Sequence, residues 1–77
     1  MAQLVTGQEF SGQGQGPGQV INAAVSGGPA TLEMKVVGNT WVPVPNGEIT
    51  DSAFSFFAPV TAVFRFTFAS GTVAIFR

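Results

Sequence analysis

The sequence predicts an all-β fold, a small antiparallel β-sandwich or barrel of about six short strands. The first observation is strict alternation of apolar and other residues over residues 62–68, where Phe64, Phe66 and Phe68 share one face. The second is a series of two-residue turn signals, Gly38-Asn39 above all. The third is that no window of the chain has a helical period.

The first predicted strands lie in the middle of the chain. Residues 19–25 place Ile21, Ala23 and Val25 on one face, and the glycines before Pro29 end that strand. Residues 30–37 and 40–44 then form a hairpin around a two-residue Gly38-Asn39 turn. This register puts Trp41 opposite Val36 on the inner face, and we therefore expect Trp41 to pack in the core.

The next segment contains the prolines of the chain's centre. Pro43 and Pro45 cannot donate ladder hydrogen bonds, so their strand is predicted at a sheet edge or with its outer side uncovered. Asn46-Gly47 is a further turn signal. Residues 53–58 form the following strand, with Phe54 and Phe56 directed inward and Phe57 directed outward.

The C-terminal residues predict a second hairpin, turning at Ser70-Gly71. In that register Phe68 lies opposite Val73, and Phe66 lies opposite Ile75. The same register puts Phe76 opposite Arg65 on the outer face. We expect a cation–π contact between these two side chains.

Residues 1–18 have a different composition, with glycine and glutamine alternating in their second half. Such a segment has too little apolar surface to fold alone. We predict an extended N-terminal arm over residues 1–18 and a small β domain over residues 19–77. Leu4, Val5 and Phe10 are the expected anchors on a neighbouring subunit, and a flexible tail is the alternative. The glycine spacing does not match a phosphate-binding loop.

The composition favours self-association. A chain of 77 residues with no Cys and no His has neither disulfides nor the usual metal ligands to stabilise its small core. Only 9% of the residues are charged, which leaves little to keep an isolated monomer dispersed. We expect a homo-oligomer. A low-charge monomer with a polar uncharged surface is the alternative.

The same composition excludes several classes of partner and reaction. The net charge of −1 carries no electrostatic footprint for nucleic acid. The longest uncharged apolar run is interrupted by Pro59 and too short to span a membrane, and no signal peptide is visible. We predict no enzyme activity and no cofactor, because no nucleophile has a base at a motif spacing. Glu48 and Asp51 are the only close pair of carboxylates, the kind of pair that a glycosidase uses, and together with Asn46 they offer oxygen ligands for Ca²⁺. A solvated turn explains these residues better than either site does.

Two aromatic groups are candidates for binding. Trp41 can stack on a sugar, although core packing is the preferred interpretation. Phe57 and Phe76 face away from the core in the predicted registers and, together with Arg65, form an apolar patch of the kind that marks protein contacts. The predicted interface residues are thus Leu4, Val5, Phe10, Phe57, Arg65 and Phe76.

Residues 19–77 resemble the small β modules of tailed-bacteriophage virions. The features that carry the resemblance are residues 31–36, Gly38-Asn39-Thr40-Trp41, Asn46-Gly47 and the Phe-rich segment 64–76. Such modules occur in head-decoration proteins, head fibres and tail fibres or adaptors. The resemblance implies a virion structural protein, commonly trimeric or arrayed, with no catalytic residues.

The expected function is therefore a capsid decoration or cement protein that binds itself and other virion proteins, such as the major capsid protein. Its expected location is the virion, after synthesis in the host cytoplasm. A tail or fibre component, which includes adaptors and receptor-binding parts, is the first alternative. A glycan-binding module and a β protein of a bacterial secretion or surface assembly are the others.

Overall fold

The computed structural model describes residues 2–13 and 16–76, so the predicted features at Met1, Gly14, Gln15 and Arg77 lie outside the described residues. The described residues form an all-β structure. Its strands are β1 (Ala2–Leu4), β2 (Glu9–Ser11), β3 (Gly18–Ser26), β4 (Ala30–Val36), β5 (Thr40–Ile49), β6 (Ala53–Pro59), β7 (Val63–Phe68) and β8 (Thr72–Phe76).

The strands form two antiparallel sheets that pack face to face. Sheet A has the order β1-β8-β3-β6, and sheet B has the order β2-β7-β4-β5. Strands therefore pair first with last, second with seventh, third with sixth and fourth with fifth. The chain is in effect one long hairpin that is rolled into two layers, which is the topology of a jelly roll. The prediction of an all-β sandwich is confirmed.

The core lies between the two sheets and is almost entirely aliphatic and aromatic. Alternate residues of the central strands enter it, as the period of a strand requires. Ile21 and Ala23 on β3 and Phe64 and Phe66 on β7 are buried, as predicted. The core residues from all eight strands are Leu4, Phe10, Ile21, Ala23, Val25, Ala30, Leu32, Ile49, Ala58, Phe64, Phe66, Val73 and Ile75.

The predicted C-terminal hairpin is wrong. β7 lies in sheet B and β8 lies in sheet A, so the turn at Ser70-Gly71 carries the chain from one layer to the other. Phe66 lies opposite Leu32 on β4, and Ile75 lies opposite Ala23 on β3. Both strands keep their predicted inward faces, because alternation defines the face of a strand but not its partner.

The register of the hairpin between β4 and β5 also differs from the prediction. Val36 pairs with Thr40, which leaves a loop of Val37, Gly38 and Asn39 instead of two residues. Asn39 has a φ of 59°, a left-handed conformation that asparagine tolerates better than most residues. The one-residue shift puts Trp41 opposite Lys35 on the outer face, so the prediction of a core tryptophan is wrong.

β5 is the edge strand of sheet B, as its prolines predict. Asn46-Gly47 is not a turn between strands. It lies within β5, where the pairing with β4 shifts between Thr31 and Glu33. Gly47 is buried in this irregular stretch, where a Cβ atom would lie 3.1 Å from the Cβ of Leu32. The bulge therefore requires a residue with no side chain at this point.

The N-terminal segment does not form an arm apart from the domain over residues 2–11. β1 extends sheet A beside β8, and β2 extends sheet B beside β7. Leu4 and Phe10 are buried in the chain's own core, with 6% and 8% of their surface exposed. Gly12 is also buried, because its backbone packs against the carbonyl of Ala58. β1 and β2 have three residues each, which is too short to produce a periodic pattern in the sequence. The glycine-rich composition around them therefore predicted an arm instead of strands.

Candidate functional site

The outer face of sheet A is the most unusual surface of the molecule. The residues that point outward from its four strands alternate with the core residues, and none of those described carries a charge. We call this surface the uncharged face. It consists of Gln3, Val20, Asn22, Ala24, Ser26, Ala53, Ser55, Phe57, Thr72, Ala74 and Phe76.

The centre of the uncharged face is made of small side chains. Ala24 on β3 lies opposite Ala53 on β6 and opposite Ala74 on β8, and Ala74 in turn lies opposite Gln3 on β1. One row of the sheet thus crosses all four strands with three alanines. Side chains this short leave the backbone of the sheet open to close approach by another flat surface.

An apolar corner lies beside this row. Val20 and Phe57 face each other across β3 and β6 and are 56% and 53% exposed. Phe76 lies opposite Asn22, on the same side of the sheet, and is 39% exposed. Next to the corner, the Ser55 hydroxyl donates a hydrogen bond of 2.5 Å to Oδ1 of Asn22. The corner is therefore apolar, and its polar neighbours are bonded to each other.

The outer face of sheet B has the opposite character. It carries five of the chain's seven charged residues, three basic and four acidic in all. We call it the charged face, and those five residues are Glu9, Glu33, Lys35, Glu48 and Arg65. The two outer faces of the sandwich thus differ sharply in how strongly water solvates them, since charged side chains bind water far more strongly than amides, hydroxyls or methyl groups.

Side chains on the charged face are paired with one another. Glu9, Arg65 and Glu33 form a row across β2, β7 and β4. Nε of Arg65 donates to Oε1 of Glu33 at 2.7 Å, and Nζ of Lys35 lies 3.8 Å from Oε1 of Glu9. The Arg65 guanidinium also lies over the ring of Trp41, 4.2 Å from its centroid. These contacts offset the charges of Lys35 and Arg65 locally, and with three acidic and two basic residues the charged face keeps one net negative charge.

The predicted patch of Phe57, Phe76 and Arg65 is divided by the fold. Phe57 and Phe76 share the uncharged face, whereas Arg65 lies on the opposite side of the sandwich. The predicted contact between Phe76 and Arg65 is therefore wrong, because β7 and β8 belong to different sheets. The cation–π partner of Arg65 is Trp41, which the sequence register placed in the core.

Of the remaining predicted interface residues, only Val5 is on the surface. It follows β1 in a turn and is 68% exposed, and its amide donates to Oε1 of Gln8. Leu4 and Phe10 are enclosed by the chain itself and are not available to a neighbouring subunit in this structure.

Of the two carboxylates that the sequence placed around one turn, Glu48 lies exposed on β5, and Asp51 in the β5–β6 turn has a structural contact. Asp51 has a φ of 48°, and its Oδ1 accepts a 2.6 Å hydrogen bond from the amide of Gly27. Within residues 2–13 and 16–76, no three acidic, His or Cys side chains are grouped as a metal site. The same part of the chain encloses no pocket. What the described surface offers to a ligand is thus a flat sheet face.

No family model, curated protein or solved structure matches this chain significantly. Among residues 2–13 and 16–76, no helix has the length and hydropathy that a membrane span requires.

Proposed function

We propose that this chain is a structural protein of a bacteriophage virion, a small capsid decoration or cement protein that docks through the uncharged face of sheet A. The observation that carries the proposal is that eleven outward residues of one sheet include no charge, whereas the other sheet carries most of the chain's charged residues. A surface of this kind loses little solvation when it is covered.

The fold is compatible with this function. Jelly rolls are common among viral capsid domains and lectins. A fold by itself hosts many functions, so the proposal depends on the distribution of charge and apolar side chains rather than on topology. The apolar corner of Val20, Phe57 and Phe76 supplies the exposed aromatic residues that protein interfaces favour.

The size of the face suggests how it is used. Four strands about 4.8 Å apart and about five residues long cover a footprint of about 350 Å². This is a planar area, and the accessible surface of the side chains that stand on it is larger. The face is thus no larger than one side of a standard interface, which buries about 800 Å² of accessible surface. Repetition on a lattice strengthens such a contact, because linked contacts reinforce one another.

The role of the chain is mechanical. Covering apolar side chains contributes about 25 cal/mol per Å² before the costs of association. Each copy that bridges two capsid subunits adds this term to the free energy of separating them. No titrating or coordinating group takes part, and the charged face is left to interact with solvent.

The decisive experiment is to purify particles on a density gradient from the phage whose genome encodes this chain. We expect mass spectrometry to find the chain in the particles at a fixed ratio to the major capsid protein, and immunogold labelling to mark the head. Labelling of the tail tip or fibres alone would replace decoration by the alternative of a tail or fibre component. Absence of the chain from purified particles would overturn the virion function altogether.

Docking through the uncharged face is tested with purified components. Ala24→Lys places a charge at the centre of that face, and Thr31→Lys places the same charge on the outer side of sheet B. We expect Ala24→Lys to abolish binding to undecorated particles and Thr31→Lys to retain it. Equal binding by both variants would exclude this face as the docking surface.

Glycan binding is not proposed. The side chain best suited to stack on a sugar is Trp41, and one side of its ring is occupied by the Arg65 guanidinium. A glycan-array signal that the parent gives and Trp41→Ala loses would show that Trp41 does bind a sugar.

A further inference from the structure

The four edges of the two sheets are not equally protected. Exposed edges present unpaired backbone groups and are usually shortened, charged, bulged or interrupted by proline. β1 and β2 are only three residues long, and β2 includes Glu9. β5 carries Pro43, Pro45 and the bulge. These three edges all have one of the usual protections.

β6 is different. It is seven residues long, it pairs with β3 over seven consecutive residues without a bulge, and it contains no charged residue. Its only proline, Pro59, lies at its last position. Among the described strands, β3 is the only one that pairs with β6, so alternate backbone amides and carbonyls of β6 point away from the sheet. This is the one long edge among the described strands that lacks protection.

The side chains of β6 are also incompletely covered. Phe54 and Phe56 point into the sandwich and pack against the core, yet both are only half-buried, whereas Phe66 on the central strand β7 has no exposed surface. Their rings stack on each other with centroids 5.8 Å apart. The core is therefore open along the β6 edge, and a further strand at this position would close it.

We propose that β6 pairs with β6 of a second copy of this chain, in antiparallel orientation, to join two A sheets into one continuous sheet of eight strands. The inference deepens the proposed function by naming a partner of the docking subunit, and it can fail separately from it. A second copy is favoured over a foreign peptide because the edge is self-complementary. Two identical uncharged strands bring no like charges together.

The register of the pair is restricted by packing. Gly12 packs against the carbonyl of Ala58, so the free part of the edge is residues 53–57. Inward residues must face inward residues, which requires the two-fold axis to pass through a residue. With the axis at Ser55, Phe54 lies opposite the second copy's Phe56, and Ala53 lies opposite its Phe57. Aromatic residues then meet in the core, and a small residue faces a large one outside.

This pair has a consequence for the uncharged face. An isologous contact about a two-fold axis closes after two copies, so this edge produces a dimer rather than the trimer expected from the resemblance. Joining two A sheets doubles the continuous uncharged footprint, to a planar area of about 700 Å². Edge pairing thus combines two docking faces into one surface of twice the area.

Cross-linking tests the register directly. The chain has no native cysteine, so Ser55→Cys introduces a single thiol at the proposed axis. Directly opposed residues of antiparallel strands have Cα atoms about 4.5–5.5 Å apart, within the range for a disulfide. Under mild oxidation we expect a covalent dimer to form at least tenfold faster than with Val37→Cys, a loop position that is 97% exposed. Equal rates would overturn the proposed register.

Light scattering over a range of concentrations tests the edge against the face. We expect the parent to be a dimer, Ser55→Lys to be a monomer and Ala24→Lys, on the same face but on the inner strand β3, to remain a dimer. Loss of the dimer in both variants would indicate face-to-face stacking, which overturns edge pairing but leaves the proposed docking surface standing. A monomeric parent, or a dimer that survives Ser55→Lys, would overturn the edge inference. The emission of the single tryptophan checks that each variant is folded.

Discussion

The guanidinium of Arg65 lies over the indole of Trp41 on the outer face of sheet B, with its Cζ 4.2 Å from the ring centroid. The two residues come from β7 and β5, and β4 separates these strands in the sheet. On the intervening strand, Oε1 of Glu33 accepts a 2.7 Å hydrogen bond from Nε of Arg65. Side chains on the outer face of sheet B thus connect its strands β7, β4 and β5.

Arg65→Lys tests the geometry of this contact. Lysine keeps the charge but has neither the planar group that stacks on Trp41 nor the Nε donor to Glu33. We expect a loss of about 1 kcal/mol in the free energy of unfolding, measured in urea. We also expect a shift in the emission of Trp41, the only tryptophan. Glu48→Gln, on the same strand and face as Trp41 but seven residues away, is the control and should leave the emission unchanged. An unchanged spectrum in Arg65→Lys would contradict the stacking.

The three-residue loop between β4 and β5 predicts how Asn39 tolerates substitution. Its φ of 59° is accessible to glycine, whereas a β-branched residue is strained there. We expect Asn39→Gly to leave the free energy of unfolding within about 0.5 kcal/mol of the parent and Asn39→Val to lower it by about 1–2 kcal/mol. Equal stability of the two variants would contradict the left-handed conformation of Asn39 in a three-residue loop. It would favour the two-residue turn of the sequence prediction, and with it the register that places Trp41 in the core.

The close approach of Gly12 to Ala58 predicts that the N-terminal segment contributes to stability. A methyl group at Gly12 collides with a backbone carbonyl, which can move only if the strand moves. We expect Gly12→Ala to lower the free energy of unfolding by about 1–3 kcal/mol, measured by urea denaturation. The matched change at the exposed Gln13, Gln13→Ala, should have little effect. If Gly12→Ala were neutral, this segment would behave as the separate arm that composition predicts.

Two phenylalanines from Phe-rich strands, Phe66 and Phe57, should differ strongly in their contribution to the free energy of unfolding. Phe66 is fully buried between the sheets, and Phe57 is 53% exposed on the uncharged face. We expect Phe66→Ala to lower the free energy of unfolding by about 3–5 kcal/mol and Phe57→Ala by less than about 1 kcal/mol. Thermal and urea melts at a low, fixed protein concentration provide the comparison, so that self-association does not add to stability. A large loss in Phe57→Ala would place that ring in the core.

The faces of the long strands could be predicted from the sequence. Ile21 and Ala23 on β3, Phe64 and Phe66 on β7, and the outward Phe57 on β6 all follow from alternation, a local property that each strand carries alone. The edge position of β5 follows from Pro43 and Pro45, because a residue without an amide proton cannot complete a central ladder.

The partners of these strands required the tertiary structure. An alternating strand is compatible with any other alternating strand, and a Ser-Gly turn can close a hairpin or cross between layers. Phe66 therefore met Leu32 instead of Ile75. Trp41 changed faces because one extra loop residue inverts every side chain of the strand that follows it.

The candidate docking surface divides in the same way. Its exposed aromatics, Phe57 and Phe76, are visible as outward positions in the sequence, but the segregation of charge is not. The uncharged face gathers residues from β1, β3, β6 and β8, which are distant along the chain, while Arg65 goes to the other sheet. Alternation along a strand is decided by local backbone geometry. The surface that two strands share is decided by long-range pairing, for which short strands such as β1 and β2 carry no local signal.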